Sequence, residues 1–204
     1  MKKLLQSVVV GCALCASPAF ADEAPELEVS ANVGMFSKYI WRGWNLNDDP
    51  SVQGGFDASF NGFSIGTWGG TDQASGTEVD IYVGYGTQIT DFLSIDVGWV
   101  QYRYPETGNH VEEWHITADF DILSTSYHKG EDGYYYLEVN SGFELNEKVT
   151  LDFHYGFEDN DENDWHDYQI TLNYQINDTY SMFVAAAEKE RNDSNLVFGV
   201  QGVF

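Results

Sequence analysis

Alternation of apolar and polar residues dominates this sequence. From Leu27 to Met35, and again from Val149 to Phe157, an apolar residue occupies every second position. A two-residue period is typical of a β-strand with one apolar face, whereas an amphipathic helix repeats every 3.6 residues. The chain is therefore predicted to be all-β. Alternating segments occur at about 27–41, 51–60, 63–69, 78–87, 93–104, 113–121, 123–128, 134–143, 149–157, 167–176, 180–187 and 195–204.

The connections between these segments come in two lengths, which alternate along the chain. Short connections, such as the strong hairpin signal Asn61-Gly62, follow every second segment, and longer polar connections follow the others. This is the plan of an outer-membrane barrel, with tight turns at one end and long loops at the other. We therefore predict a transmembrane antiparallel up-and-down β-barrel of about 12 strands. In a closed barrel the last segment, which runs to Phe204, pairs with the first.

A soluble β-sandwich is the competing fold, because its strands also alternate. A sandwich buries its apolar side chains in a core, whereas a membrane barrel presents aromatic side chains to the lipid–water interfaces. Here the apolar parity carries many large side chains near the predicted strand ends, which favours the barrel. These side chains are Met35, Tyr39, Trp41, Trp99, Trp114, Tyr135, Tyr155, Phe157 and Tyr168.

The N-terminal segment has the features of a secretory signal peptide. Lys2 and Lys3 precede an apolar run, and Ala19-Phe20-Ala21 matches a small-x-small cleavage site. The predicted organisation is a signal peptide at residues 1–21, followed by a single barrel domain at residues 22–204.

The two cysteines of the chain lie within this N-terminal segment. Val9-Val10-Gly11-Cys12 offers a second possibility, a lipoprotein site at which Cys12 is lipidated. Cleavage after Ala21 removes both Cys12 and Cys15 and leaves a mature domain without a disulfide or a thiolate metal site.

The charge of the chain excludes some functions. The sequence has 9 Lys and Arg against 33 Asp and Glu, a formal net charge of −24, and removal of Lys2 and Lys3 makes it −26. Nucleic-acid binding depends on basic contacts and is therefore not expected. Aromatic residues make up 16% of the chain, which argues against disorder as the consequence of so much charge.

The polar parity of the predicted strands should line the barrel lumen. We predict eight carboxylates and two cations there, a balance that favours the passage of cations; the alternative is an interior filled by its own side chains. Arg42 could brace a constriction by pairing with Glu78 or Asp80, or it could anchor the first loop at the rim. The pore-lining candidates are Lys38, Arg42, Asp57, Glu78, Asp80, Asp96, Asp119, Asp121, Glu138 and Asp152.

The residue spacing in this sequence does not match the known motifs of enzymes or metal sites. The cluster His110, Glu112, Glu113 and His115 lacks the H-E-x-x-H order of a zinc site. His115, Asp119, Ser124 and Ser126 could supply a hydrolase triad, but no nucleophile motif marks either serine. The acidic stretch at residues 158–164 lacks the glycine turn of a calcium loop. We therefore expect no catalytic residue, no metal and no cofactor.

Five stretches carry a family resemblance. Ser37-Lys38-Tyr39-Ile40-Trp41-Arg42-Gly43 is the most specific, and the others are Gln53–Phe56, Gly62–Trp68, Glu78–Tyr85 and Tyr102–Pro105. With these stretches the mature N-terminal half resembles the TorF family of porin-like proteins, also called the Gcw_chp family. Lys38 departs from the resemblance, since such proteins often carry an acidic residue there. Beyond Pro105 only the strand pattern is similar.

The resemblance implies an outer-membrane location and a pore, but no particular solute. Phe204 resembles the terminal signal that the barrel-assembly machinery recognises. The expected function is a porin-like channel for small solutes with a preference for cations. The alternative is a non-conducting barrel that has a structural or surface-recognition role. The expected partners are outer-membrane lipid and lipopolysaccharide, the assembly machinery, and small solutes or cations.

Overall fold

The fold was derived from a computed structural model that describes residues 26–160, 162–190 and 194–204. The predicted signal peptide, residues 1–21 with Cys12 and Cys15, lies outside the described residues. Nowhere in the described ranges does a helix offer the length and apolar character that crossing a bilayer requires.

Fourteen strands follow one another along the described chain. They are β1 (Glu28–Phe36), β2 (Tyr39–Trp41), β3 (Trp44–Asn47), β4 (Ser51–Phe60), β5 (Phe63–Asp72), β6 (Gly76–Thr90), β7 (Leu93–Tyr104), β8 (Asn109–Phe120), β9 (Leu123–Gly130), β10 (Tyr135–Asn146), β11 (Val149–Asp159), β12 (Asp164–Gln175), β13 (Tyr180–Lys189) and β14 (Asn195–Val203).

Twelve of these strands form a closed antiparallel barrel, as the alternation predicted. From β4 to β14 each strand pairs with the next one in sequence, and β1 closes the sheet by pairing with both β4 and β14. The β1–β14 ladder runs from Asn32 opposite Val203 to Phe36 opposite Gly199, and Ala31 and Phe204 exchange two further backbone hydrogen bonds. Closure leaves no unpaired sheet edge.

The two ends of the barrel differ, again as predicted. At one end, called the short-turn end, tight turns join the strands; Asn61 and Gly62 adopt φ angles of 51° and 84°, as a two-residue hairpin turn requires. At the opposite end, called the long-loop end, the connections between β5 and β14 have three to five residues, shorter than most of those predicted because the strands extend into them, whereas 14 residues, 37–50, separate β1 from β4.

The first predicted strand, 27–41, is wrong in its second half. The wall strand ends at Phe36, and β2 and β3 instead pair with each other as a separate two-stranded sheet. Residues 37–50, called the inner hairpin, turn into the lumen. Its reversal takes place at Arg42 and Gly43, whose φ angles are 48° and 75°. The two-residue period of the sequence continues across this bend. The sequence pattern could therefore not reveal where the chain leaves the wall.

The outer face of the barrel is apolar and exposed. Aliphatic side chains such as Val97, Ile116 and Leu172 occupy its middle, between aromatic side chains near both ends. Trp99 and Trp114 pack together toward the long-loop end, and Phe63 and Tyr85 toward the short-turn end. The placement of Tyr39 and Trp41 on this face was wrong, because both belong to the inner hairpin, where Tyr39 is fully buried.

Candidate functional site: the lumen and its inner hairpin

The inner hairpin packs on one side against an apolar patch of the lumen wall. Ile40 is buried in a cluster with Phe36 of β1, with Phe183, Ala185 and Ala187 of β13, and with Val197 of β14. Two alanines among these wall positions leave room for the hairpin. Burial of such a side chain contributes about 1.5–3 kcal/mol, so this patch stabilises the docked hairpin.

On the opposite side, an ion pair joins the tip of the hairpin to β8. Arg42 donates through Nη1 to Glu113 Oε2 (2.9 Å) and through Nη2 to Glu113 Oε1 (2.8 Å). The guanidinium also stacks over the rings of Tyr136 and Trp41, at 4.0 Å and 4.4 Å from their centroids. Bidentate geometry fixes the orientation of both groups. Because the pair is buried, loss of one partner typically costs about 3–5 kcal/mol.

Glu113 is held in place by further side chains from the barrel wall. The hydroxyls of Tyr102 and Tyr134 donate to its carboxylate at 3.3 Å and 2.7 Å, and His128 Nδ1 lies 2.8 Å from Oε1. The Glu113 side chain is 0% exposed. These contacts therefore fix the position of the carboxylate that faces Arg42.

The predicted partners of Arg42 were wrong, since neither Glu78 nor Asp80 pairs with it. Glu78 instead accepts hydrogen bonds from Tyr39 of the hairpin (3.0 Å) and from Tyr104 (3.3 Å). The prediction assumed that Arg42 extended the first wall strand. The turn after Phe36 carries it across the lumen to β8 instead.

Carboxylates and histidines alternate along the wall beyond Glu113, with one residue on each successive strand. His128 of β9 lies between Glu113 and Glu138 of β10, with 3.4 Å from Nε2 to Glu138. His154 of β11 lies 3.8 Å from Glu138 and 2.8 Å from Asp167 of β12. Tyr136 also donates to Asp167, at 3.1 Å. Glu113, Glu138 and Asp167 thus each have a basic or hydrogen-bonding partner.

A lumen cation that the sequence analysis missed lies near the same level. The Lys189 ammonium lies between the rings of Trp44 and Trp165, at 2.8 Å and 3.8 Å from their centroids. Lys38 is at the root of the hairpin, where it donates to Asn195 (2.9 Å) and pairs with Asp48 (3.3 Å). A hydrogen bond from Asn45 and the contact with Lys38 lower the pKa of Asp48.

Toward the short-turn end, the lumen wall carries four half-buried carboxylates, called the vestibule carboxylates: Asp57, Asp96, Asp119 and Asp152. Their partners are neutral hydroxyls and amides or a histidine: Tyr82 for Asp57, His115 for Asp96, Ser94 for Asp119 and Asn173 for Asp152. Among the described residues, no lysine or arginine faces this half of the lumen.

The remaining pore-lining, zinc-site and hydrolase candidates do not come together in one site. Asp121 is exposed in the turn between β8 and β9, at a φ of 57°, rather than on the lumen wall. Glu112 points outward, where Trp99 and Gln101 donate to it, while its neighbour Glu113 points inward. The cluster around His110 is therefore divided between two faces. His115 pairs with Asp96, and Ser126 bonds to Thr117 rather than to a histidine.

Comparison with known proteins identifies the family. The model of the family described as "Bacterial protein of unknown function (Gcw_chp)" matches residues 20–201. The chain belongs to the Gcw_chp family. The family name TorF stays a prediction. A search among curated proteins gave no match.

Solved structures with the same fold as this Gcw_chp protein are barrels described as porins or outer-membrane proteins. The KdgM porin in complex with disordered oligogalacturonate has a TM-score of 0.65 at 14% identity, covering 86% of this chain and 98% of that one. The NanC porin has a TM-score of 0.58 at 11% identity, covering 86% and 98%. Omp33 of Acinetobacter baumannii also has a TM-score of 0.58, at 5% identity, covering 86% and 96%. At these identities the likeness shows the fold.

Proposed function

We propose that this protein is an outer-membrane, porin-like channel for the passive diffusion of small solutes, with a preference for cations, and that it is not an enzyme. The observation that carries the proposal is a closed barrel with an apolar outer face around a lumen that has an acidic half. An apolar face with aromatic side chains near both ends suits a bilayer. The likeness to barrels described as porins supports the same function.

The proposed preference for cations rests on the vestibule carboxylates. Fixed charges inside a low-dielectric wall focus their potential and concentrate ions of opposite sign. In the half of the lumen near the hairpin, by contrast, Arg42 and Lys189 are close to the carboxylates. We therefore assign ion selection to the short-turn half of the lumen, with Asp57, Asp96, Asp119 and Asp152 as its main determinants.

The proposed location fixes orientation and partners. In outer-membrane barrels the short turns face the periplasm and the long loops face the outside. We propose the same orientation here, with lipid and lipopolysaccharide around the outer face. Export by the predicted signal peptide and recognition of Phe204 by the assembly machinery belong to the same proposal.

A non-conducting barrel with a structural or surface-recognition role is the second candidate. It is favoured by the inner hairpin, whose Tyr39 and Ile40 are buried inside the lumen. The two candidates differ in one property, conductance, which can be measured directly.

Recording from planar bilayers tests the proposal. We expect the refolded protein to give discrete conductance steps. In a potassium chloride gradient, the sign of the reversal potential should show that potassium passes more readily than chloride. The preference should weaken with salt, because the Debye length falls from about 10 Å at 0.1 M to about 3 Å at 1 M. Absence of steps from a correctly folded protein would favour the non-conducting barrel, and an anion preference would contradict the assigned role of the vestibule.

A further inference from the structure

The ladders that close the barrel wall do not include β2 or β3 of the inner hairpin, of which Ser37 alone continues the pairing of β1, through two hydrogen bonds with Phe198. The β1–β4 ladder runs from Glu28 opposite Ser59 to Phe36 opposite Ser51, so the two ends that the hairpin joins are already adjacent. A short turn could connect Phe36 to Ser51. Residues 37–50 are thus an insertion into the lumen rather than part of its wall.

The hairpin reaches the wall on several sides of the lumen. Ile40 packs on β13 and β14, while Tyr39 contacts Trp68 of β5, with ring centroids 5.6 Å apart, and bonds to Glu78 of β6. Arg42 reaches β8, and Trp44 packs edge-on against Trp165 of β12 at 5.8 Å. An element that contacts opposite walls crosses the lumen.

The lumen is most closely packed at the level of these contacts. Val100, Glu113 and Tyr136 are wall residues whose side chains point inward, yet each is 0% exposed. The vestibule carboxylates, nearer the short-turn end, are only half buried. The narrowest part of the path therefore coincides with the hairpin.

The root and the tip of the hairpin are held differently. Near the root, Leu46 accepts a backbone hydrogen bond from Gln73 (2.9 Å), and Asn47 donates to the Thr71 carbonyl (3.1 Å). The tip at Arg42 and Gly43 is anchored by the ion pair with Glu113, whose geometry is fixed by its other partners, and the packing of Trp44 against Trp165 adds a second contact. One side-chain substitution can therefore weaken the attachment of the tip and leave every wall ladder intact.

We infer that the inner hairpin, rather than the barrel wall, sets the size of solute that the channel passes, and that Arg42 and Glu113 are the positioning residues that hold it across the lumen. This inference rests on the proposed channel function. Neither residue needs to touch the solute. Each acts through the position of the hairpin, so their loss should change the size limit.

The test is the permeation of neutral solutes of graded size into liposomes that contain the purified, refolded protein. For Arg42→Gln and for Glu113→Gln, entry of a solute just above the wild-type size limit should rise at least about tenfold. The free energy lost with one partner of a buried ion pair is large enough to raise the fraction of channels with an undocked hairpin by that factor. Because both substitutions remove the same contact, the double variant should resemble either single variant rather than the product of their effects.

Matched controls separate this effect from a general change in charge. Arg103→Gln removes an exposed arginine, and Glu112→Gln removes the carboxylate next to Glu113 that points outward; both should keep the wild-type size limit. A third variant joins Phe36 to Ser51 by a four-residue glycine–serine turn, and it should pass the largest solutes. Retention of heat-modifiable gel migration shows that each variant has folded into a barrel. If Arg42→Gln fails to assemble, the variant without the hairpin still tests the inference.

The outcomes distinguish the inference from the proposed function. A wild-type protein that conducts, with an unchanged size limit in the variant lacking the hairpin, would overturn the inference and leave the channel function standing. If even the folded variant without the hairpin passes no ions or solutes, both are wrong. A raised limit in Arg42→Gln, Glu113→Gln and the hairpin-less variant, but not in the two controls, is the result that the inference predicts.

Discussion

Replacement of Phe153 by arginine should sharply reduce the amount of folded barrel in the outer membrane, whereas the same replacement at the neighbouring Asp152 should not. Phe153 lies near the middle of β11 on the outer face and is 38% exposed, while Asp152 points into the lumen and bonds to Asn173. An arginine in contact with lipid near the bilayer midplane costs about 2–4 kcal/mol in a membrane barrel. An arginine in an acidic lumen is attracted to its surroundings.

The pair of variants reports directly on which face meets lipid. Their yields should be compared in the outer-membrane fraction, and the urea concentration at half-unfolding should be measured in detergent or lipid. If the same barrel were soluble, Phe153 on its outer face would contact water, and arginine there would be harmless or would improve solubility. Equal yields of the two variants would therefore contradict the assignment of the outer face.

Neutralising the vestibule carboxylates should remove most of the cation preference. Asparagine at positions 57, 96, 119 and 152 keeps the size and much of the hydrogen bonding of each side chain but removes four negative charges. The reversal potential in a potassium chloride gradient should move toward zero, with the largest change at about 0.1 M salt, where screening is weakest. Because these side chains are only half buried, the barrel should still fold.

A control for this variant removes the same charge outside the lumen. Glu106, Glu131, Asp132 and Glu147 are exposed in loops and turns, and their conversion to the neutral amides should have much less effect on the reversal potential. The four vestibule positions leave out Glu78 and Asp80, which the sequence also places among the pore-lining candidates. Glu78 and Asp80 are buried beside the hairpin, at 3% and 0% exposure. An equal loss of selectivity in both variants would show that the vestibule is not where ions are selected.

The barrel could be predicted from the sequence because the signals that specify it lie in short stretches of neighbouring residues. Alternation marks the strands, Asn61-Gly62 marks a turn, and the regular exchange of short and long connections gives the topology. The predicted bounds of β4 and β7 match the observed strands, and others such as β6 are longer than predicted. Strands lengthen where pairing with a neighbour continues beyond the alternating pattern.

The inner hairpin could not be predicted, because its position depends on strands that are distant from it in the sequence. Residues 37–41 continue the alternation of β1, and only the space inside a closed barrel allows them to turn inward. The predicted partners of Arg42 were on the wrong strand, β6 instead of β8. His128, His154, Asp167 and Lys189 were missed, although polar parity on neighbouring strands could have brought the two histidines and Asp167 into one row.

The most direct test of the central claim, a closed barrel in the outer membrane, is fractionation of cells that express the full chain, followed by gel migration of unheated and boiled samples. A hydrogen-bonded barrel without free edges resists detergent until it is heated. The account predicts that the protein is in the outer-membrane fraction and that its unheated and boiled forms migrate at different positions. Recovery as a soluble periplasmic protein that migrates identically before and after boiling would contradict it.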